Sequence, residues 1–250
     1  MTDPAKPPLV YLPGLDGTGR LLFRQDDLFH HYDVLCESYP QDRPQTYEEL
    51  ADTGAAHVRV RWGERPVIVL AESFGGAVAL TFALRHPELV ERMVLVNTFA
   101  RYRGRVQIRL ASFFGRFLPR KPSHPATRPL RSVFFFSKAI PKSERDEWWS
   151  RTEDVPMQAF GYRLRLIANL DLRPRLPEIP FPALVIAAPD DRVVSPKAGR
   201  ELARLLPNAL LVEPRVGHGA MIHPAINIGE MLADPAFWTT AATTVDQADR

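Results

Sequence analysis

The 250-residue chain predicts an α/β fold in which a mostly parallel central sheet is flanked by helices. Short β-rich apolar runs alternate with stretches of helical pattern, as expected when crossover helices cover a parallel sheet. The helical stretches carry recognisable start signals. A length of 250 residues with 45% hydrophobic content also suffices for a large core without disulfide staples.

Leu9–Leu12 reads as the first strand and Val34–Ser38 as the second. Thr46, with Glu49 three residues later, forms a capping-box pattern ahead of a helix over Leu50–Trp62. Val67–Leu70 and Met93–Val96 continue the strand series. From Arg101 to Arg175 the alternation gives way to Arg-rich, aromatic-rich sequence punctuated by proline, including Phe113–Phe117, Phe134–Phe136 and Trp148-Trp149. We read this segment as a helical cap, with residues 1–100 and 176–250 forming the body. Ala183–Ala187 resumes the sheet, Ser195-Pro196 places a capping serine before a first-turn proline, and Leu210–Val212 is the last strand. The tail beyond Asp234 is expected to be loosely held.

The net charge of +3 conceals an asymmetry. Residues 101–175 hold 17 Lys and Arg against 6 Asp and Glu, or +11, so the remainder carries −8. No nucleic-acid-binding motif accompanies the basic segment. Cys36 is the single cysteine, which excludes an intrachain disulfide and is compatible with a reducing compartment. Neither a secretory leader nor an apolar run of about 18 residues is visible, so a cytoplasmic protein without transmembrane segments is expected.

The sequence Ala71-Glu72-Ser73-Phe74-Gly75 closes one strand and opens a helix with a serine between small residues. Such a strand-to-helix turn exposes the hydroxyl and aims the helix N-terminus at it. A buried serine that merely caps the helix is the structural alternative. Company favours chemistry, because a serine nucleophile needs a base and the base needs an acid. The acidic turn Asp190-Asp191 follows one predicted strand, and His218, in the loop Val216–Gly219, follows the next. Asp191 is preferred as the acid, with Asp190 the competitor. His223 is the rival histidine, expected to begin a helix with Pro224 and Ala225. The glycine-rich loop Gly14–Gly19 after the first strand offers backbone donors for an oxyanion, and the Leu15 and Phe74 amides are the candidates. This loop lacks the lysine pattern and glycine spacing of the common phosphate cradles. No His or Cys spacing suggests a metal.

Together, Leu12–Gly19, Glu72–Gly76, Asp191–Val194 and Gly217-His218 resemble the α/β-hydrolase superfamily over residues 8–233. The first two motifs are similar to a branch of esterases, lipases, thioesterases and plant phytyl-ester and diacylglycerol acyltransferases. Ala71 departs from the usual elbow glycine, and Pro13 stands where many members have histidine. The resemblance implies a sheet of eight strands or a trimmed version, a helical cap, and a catalytic triad of Ser73, Asp191 and His218. It also places Leu15 and Phe74 in the oxyanion hole.

The expected activity is therefore cofactor-independent cleavage of a carboxylic ester through an acyl-enzyme. Acyl transfer or thioester cleavage is the nearest alternative, and a non-catalytic ligand-binding protein is the alternative of another class. Eleven aromatics in residues 101–175 suggest an apolar acyl pocket, although each could instead pack the cap onto the body. The basic charge there suggests an anionic partner, either an acidic acyl carrier or an anionic lipid surface, with a solvated surface as the plainer reading.

Overall fold

The computed structural model describes residues 6–102, 104, 108, 110, 113 and 128–238. Six parallel strands form one sheet in the order β2-β1-β3-β4-β5-β6. They are β1 (Pro8–Leu12), β2 (Asp33–Cys36), β3 (Val67–Glu72), β4 (Val90–Val96), β5 (Ala183–Ile186) and β6 (Ala209–Val212). Every expected strand is present, with ends shifted by up to three residues. Among the described residues the sheet is thus the trimmed version.

Burial on both faces explains why the strands read as continuous apolar runs. The strand pleat sends Val10, Leu12, Val69, Ala71 and Leu95 to one side. There they pack on helices α2 (Tyr47–Trp62), α3 (Phe74–Arg85) and, further along the chain, Pro196–Leu205. Leu9, Tyr11, Ile68, Leu70 and Val94 point the other way, toward helix α1 (Asp26–His31) and the short helix Ile228–Ala233. Thr46 and Glu49 form the expected capping box of α2, through bonds of 3.1 and 2.8 Å. Ser195 occupies the cap position before Pro196, but its side chain makes no capping bond.

Between β4 and β5 the described helices are α4 (Arg128–Phe135), α5 (Lys142–Thr152) and α6 (Met157–Asn169). Pro196–Leu205 is then α7 and Ile228–Ala233 is α8. Phe114–Phe117 lie outside the described residues. Helix α5 and the turn after it are tied to the segment after β1 by ion pairs Arg24–Glu144 and Arg20–Asp154, and Arg151 lies over the Phe23 ring. Among the described residues no helix is long and apolar enough to cross a membrane.

Two expectations need correction. His223 does not begin a helix; it follows a 3-10 turn at Ala220–Ile222, and α8 starts five residues later. Its buried ring accepts the Ala225 amide through Nδ1. The chain beyond Asp234 is held as far as Trp238, whose ring lies beneath Arg92 and whose indole donates to Met231 O. Residues 239–250 lie outside the described residues.

The connection from β1 to β2 leads one way along the sheet and the return to β3 leads the other. The crevice between the carboxyl ends of β1 and β3 is therefore the switch point where open α/β sheets place ligands.

Candidate active site

Strand β3 ends at Glu72, and Ser73 turns the chain into α3 with φ 50° and ψ −118°. A non-glycine residue held at positive φ costs roughly 1–3 kcal/mol, so the surroundings must enforce it. The Ser73 amide donates to Val96 O at 2.9 Å, and the Thr98 hydroxyl donates to Ser73 O at 2.6 Å. The small residues after the serine have distinct causes. A Cβ on Gly75 would lie 2.2 Å from Leu12 O, and one on Gly76 would lie 2.1 Å from Thr98 Oγ1. The turn is thus pressed backbone-to-backbone against the end of β1.

That contact brings the loop after β1 beside the serine. A Cβ on Gly14 would sit 3.7 Å from Ser73 Cβ. The Gly17 amide donates to Gly14 O at 3.0 Å, closing a tight turn over Gly14–Gly17. In the trans peptide joining Gly14 to Leu15, the N–H points opposite to that engaged carbonyl. The Leu15 amide consequently faces out of the turn. Phe74 supplies the first amide of α3, where helical N–H groups lack intrahelical partners. Its side chain points away, fully buried and stacked on Tyr47 at 5.2 Å.

Asp191 and His218, expected from the sequence as acid and base, lie in direct contact. His218 Nδ1 lies 2.7 Å from Asp191 Oδ2, and both side chains are largely buried. Asp191 Oδ1 accepts the Val193 and Val194 amides at 2.7 and 2.9 Å, so the carboxylate is held on both oxygens. Asp190 is exposed. The Phe135 ring of α4 packs edge-on against His218 at 5.6 Å, and Phe135 O accepts the Gly219 amide at 2.8 Å.

Ser73, His218 and Leu15 line one cavity of about 260 Å³. Its remaining wall is largely apolar, with Phe99, Phe135, Trp148, Met157, Phe160 and Ile167 among the lining residues. Asp16 and Glu72 border it near the serine. Asp191 stands behind His218 and opens on a separate outer groove of about 930 Å³. Among the described residues no hydrogen bond joins the Ser73 hydroxyl to His218; such contacts often tighten only when substrate binds.

The Hydrolase_4 family, described as serine aminopeptidase S33, matches residues 41–222. The chain belongs to this family of α/β-hydrolases. RutD of Yersinia enterocolitica, named as a candidate carbamate hydrolase, is similar at 27% identity over 88% of this chain and 83% of its own length. Phytyl ester synthase 2 of Arabidopsis thaliana is 35% identical over 36% of this chain, a stretch that is 14% of that longer protein. A hydrolase from Pseudomonas aeruginosa PA01 shares the fold with a TM-score of 0.81 at 20% identity, covering 95% of this chain and 91% of its own.

Three residues of this α/β-hydrolase escaped the sequence reading. Asn97, at φ 47°, donates from Nδ2 to Gly217 O and His218 O, both at 3.1 Å, and accepts the Ala188 amide on Oδ1 at 2.9 Å. One side chain thus joins the end of β4 to the loops bearing Asp191 and His218. Glu72 accepts a short hydrogen bond from the Tyr11 hydroxyl, and burial pushes its carboxyl up to about 7. Arg163 of α6 is 4% exposed and donates to Leu15 O at 2.7 Å and Asp16 O at 2.9 Å. An asparagine just past a strand is a weak signal. Arg163 had none, being one basic residue among 17 in its segment.

Proposed function

We propose that this hydrolase cleaves carboxylic esters through a transient acyl-enzyme on Ser73. What supports this most is the convergence of an enclosed Asp191–His218 pair and a strained-turn serine on one largely apolar cavity. Ser73 Oγ attacks the ester carbonyl carbon as His218 Nε2 takes its proton. Asp191 keeps the other ring nitrogen protonated and stabilises the imidazolium. The carbonyl oxygen becomes an oxyanion facing the Leu15 and Phe74 amides; one good donor there is worth about 3–4 kcal/mol of transition-state stabilisation. Collapse breaks the bond to the alkoxy oxygen, and the alcohol leaves with the proton from His218. Water, deprotonated by His218, then attacks the acyl carbon, releasing the acid and restoring Ser73.

Residues 101–175 act in this reading as a cap, with α4–α6 furnishing much of the acyl wall. The volume of about 260 Å³ is below the roughly 300–1,000 Å³ of drug-sized ligand sites, which favours a compact acyl group. Asp16 and Glu72 beside the serine favour an uncharged one. The decisive experiment is fluorophosphonate labelling alongside turnover of p-nitrophenyl esters of increasing acyl length. Both are lost in Ser73→Ala; full esterase activity in that variant overturns the proposal. Absence of labelling in the wild type would point to a ligand-binding protein, and ester products formed with added alcohol would point to acyl transfer.

The outer groove supports a narrower second reading. Arg128, Lys138, Lys142, Arg145 and Arg192 line it and outnumber its carboxylates Asp146, Asp190 and Asp191, although Lys142 is paired with Asp146 and Arg128 with Glu153. Such a cluster suits an acyl donor with an anionic carrier. Charge attraction of this kind fades with salt, so kcat/KM for a carrier-linked ester should fall more steeply with ionic strength than for a free short-chain ester. Equal slopes would remove the carrier idea and leave the hydrolase reading intact.

A further inference from the structure

We propose that Arg163, on α6, is a positioning residue for the oxyanion hole and makes the orientation of the Leu15 amide depend on the seating of that helix. The inference rests on the serine mechanism above.

The geometry is specific. The Gly14–Gly17 turn has Leu15 and Asp16 at its centre, and the Arg163 guanidinium takes the carbonyls of both through Nη1, at 2.7 and 2.9 Å. Nη2 donates to Pro40 O at 3.2 Å, on the segment after β2. One planar group therefore clamps three carbonyls, with the Tyr39 ring 5.7 Å from its central carbon. Gly17, at φ +64°, leaves the room required, since a Cβ there would stand 2.5 Å from Nη2. Gln41 adds a bond to Asp16 O at 3.1 Å.

Peptide planarity transmits this grip. With Gly14 O engaged by the Gly17 amide on one side of Leu15 and Leu15 O engaged by Arg163 on the other, both peptide planes flanking Leu15 are fixed. The Leu15 N–H can then rotate out of position only by breaking one of these bonds. The guanidinium has no carboxylate within ion-pair distance among the described residues, yet it is almost wholly buried. Burial draws its pKa down to about 10, so it remains charged near neutral pH. Burying a charge is costly unless hydrogen bonds compensate it, and the hydrogen-bond partners of this one among the described residues are the carbonyls of Leu15, Asp16 and Pro40. Arg suits this work because its fork engages several acceptors in one plane, whereas Lys is a point donor.

The test uses Arg163→Met and Arg163→Lys in the full chain, with kcat and KM for a short p-nitrophenyl ester. It also compares binding of a boronic acid, which forms a tetrahedral anionic adduct with serine, with binding of a ground-state amide analogue. In Arg163→Met we expect kcat to fall about 10- to 100-fold, as for other small misplacements of catalytic groups. KM and amide binding change little, boronic acid affinity falls in parallel with kcat/KM, and Arg163→Lys lies between. A raised KM with kcat preserved, or equal losses of boronic acid and amide binding, would reduce Arg163 to a wall or structural residue and overturn the inference. Should Arg163→Met melt below the assay temperature, the same affinity ratio in Arg163→Lys decides. Esterase activity surviving in Ser73→Ala would instead overturn the underlying mechanism, whatever Arg163 does.

Discussion

Asn97 holds His218 by its backbone. Its amide nitrogen donates to the carbonyls of Gly217 and His218 at 3.1 Å each, while its oxygen anchors Ala188, three residues before Asp191. The loops bearing Asp191 and His218 thus share a support at the end of β4. Asn97→Gly keeps the left-handed backbone accessible and deletes all three bonds, at about 1 kcal/mol each. We expect kcat to drop by about 10-fold or more with KM little altered. Steady-state kinetics and a melting curve check this; unchanged kcat in the destabilised protein would show that the loops support themselves.

Asp191, gripped by two amides and paired with His218, is expected to be indispensable. Asp191→Asn should lower kcat by about 10³- to 10⁴-fold, the scale seen when the acid of such a triad is neutralised. Asp190→Asn, at an exposed position, should leave kcat where it was. Reversed outcomes would transfer the role to Asp190.

Glu72 makes stability depend on pH. Its folded pKa of about 7 exceeds the usual value of 4.5, so the folded protein binds this proton more tightly than the unfolded chain does. Below pH 4.5 the group costs nothing. As pH rises through the window from 4.5 to 7 the unfolded chain ionises first, and stability is lost. Glu72→Gln can still accept from the Tyr11 hydroxyl, so it should raise Tm more at pH 8 than at pH 5. An equal shift at both pH values would contradict this.

Gly75 should tolerate no side chain. In Gly75→Ala the new methyl would lie 2.2 Å from Leu12 O and 2.5 Å from Pro13 O, both backbone atoms that cannot swing aside. A loss of about 3 kcal/mol is expected, measured by urea unfolding. Wild-type stability there would mean that the turn and the β1 loop stand further apart.

Phe160 of α6 should help set acyl length. Phe160→Ala enlarges the cavity, and the preferred p-nitrophenyl ester should lengthen. A panel of acyl lengths reads this directly, and an unchanged preference would remove α6 from the acyl wall.

Much of this architecture could be read before folding. The central strands stood out because burial on both faces leaves an uninterrupted apolar run such as Val67–Leu70, while the partly buried edge strands β2 and β6 still read as short apolar runs. The meeting of Ser73, Asp191 and His218 at one end of the sheet was legible because each lies in the segment that follows a strand, where the parallel topology brings distant residues together. The rest depended on packing. Arg163 differs from the exposed Arg165 only by facing the Gly14–Gly17 turn, which no local pattern announces. Glu72 takes its hydrogen bond from Tyr11, 61 residues away in the chain, a partner that no local pattern announces. His223 followed the same rule in reverse: His-Pro-Ala resembles a helix start, but the ring spends its nitrogen on the Ala225 amide.

Two carboxyl groups line the inner cavity beside Ser73, whereas five cationic side chains outnumber three carboxylates along the outer groove. An amphiphile with a neutral tail and an anionic head would meet attraction at the rim and discouragement within. It would be admitted tail first, with its head left outside as a handle. The sign of the charge, rather than the shape of the opening, would then orient the molecule before any bond is broken.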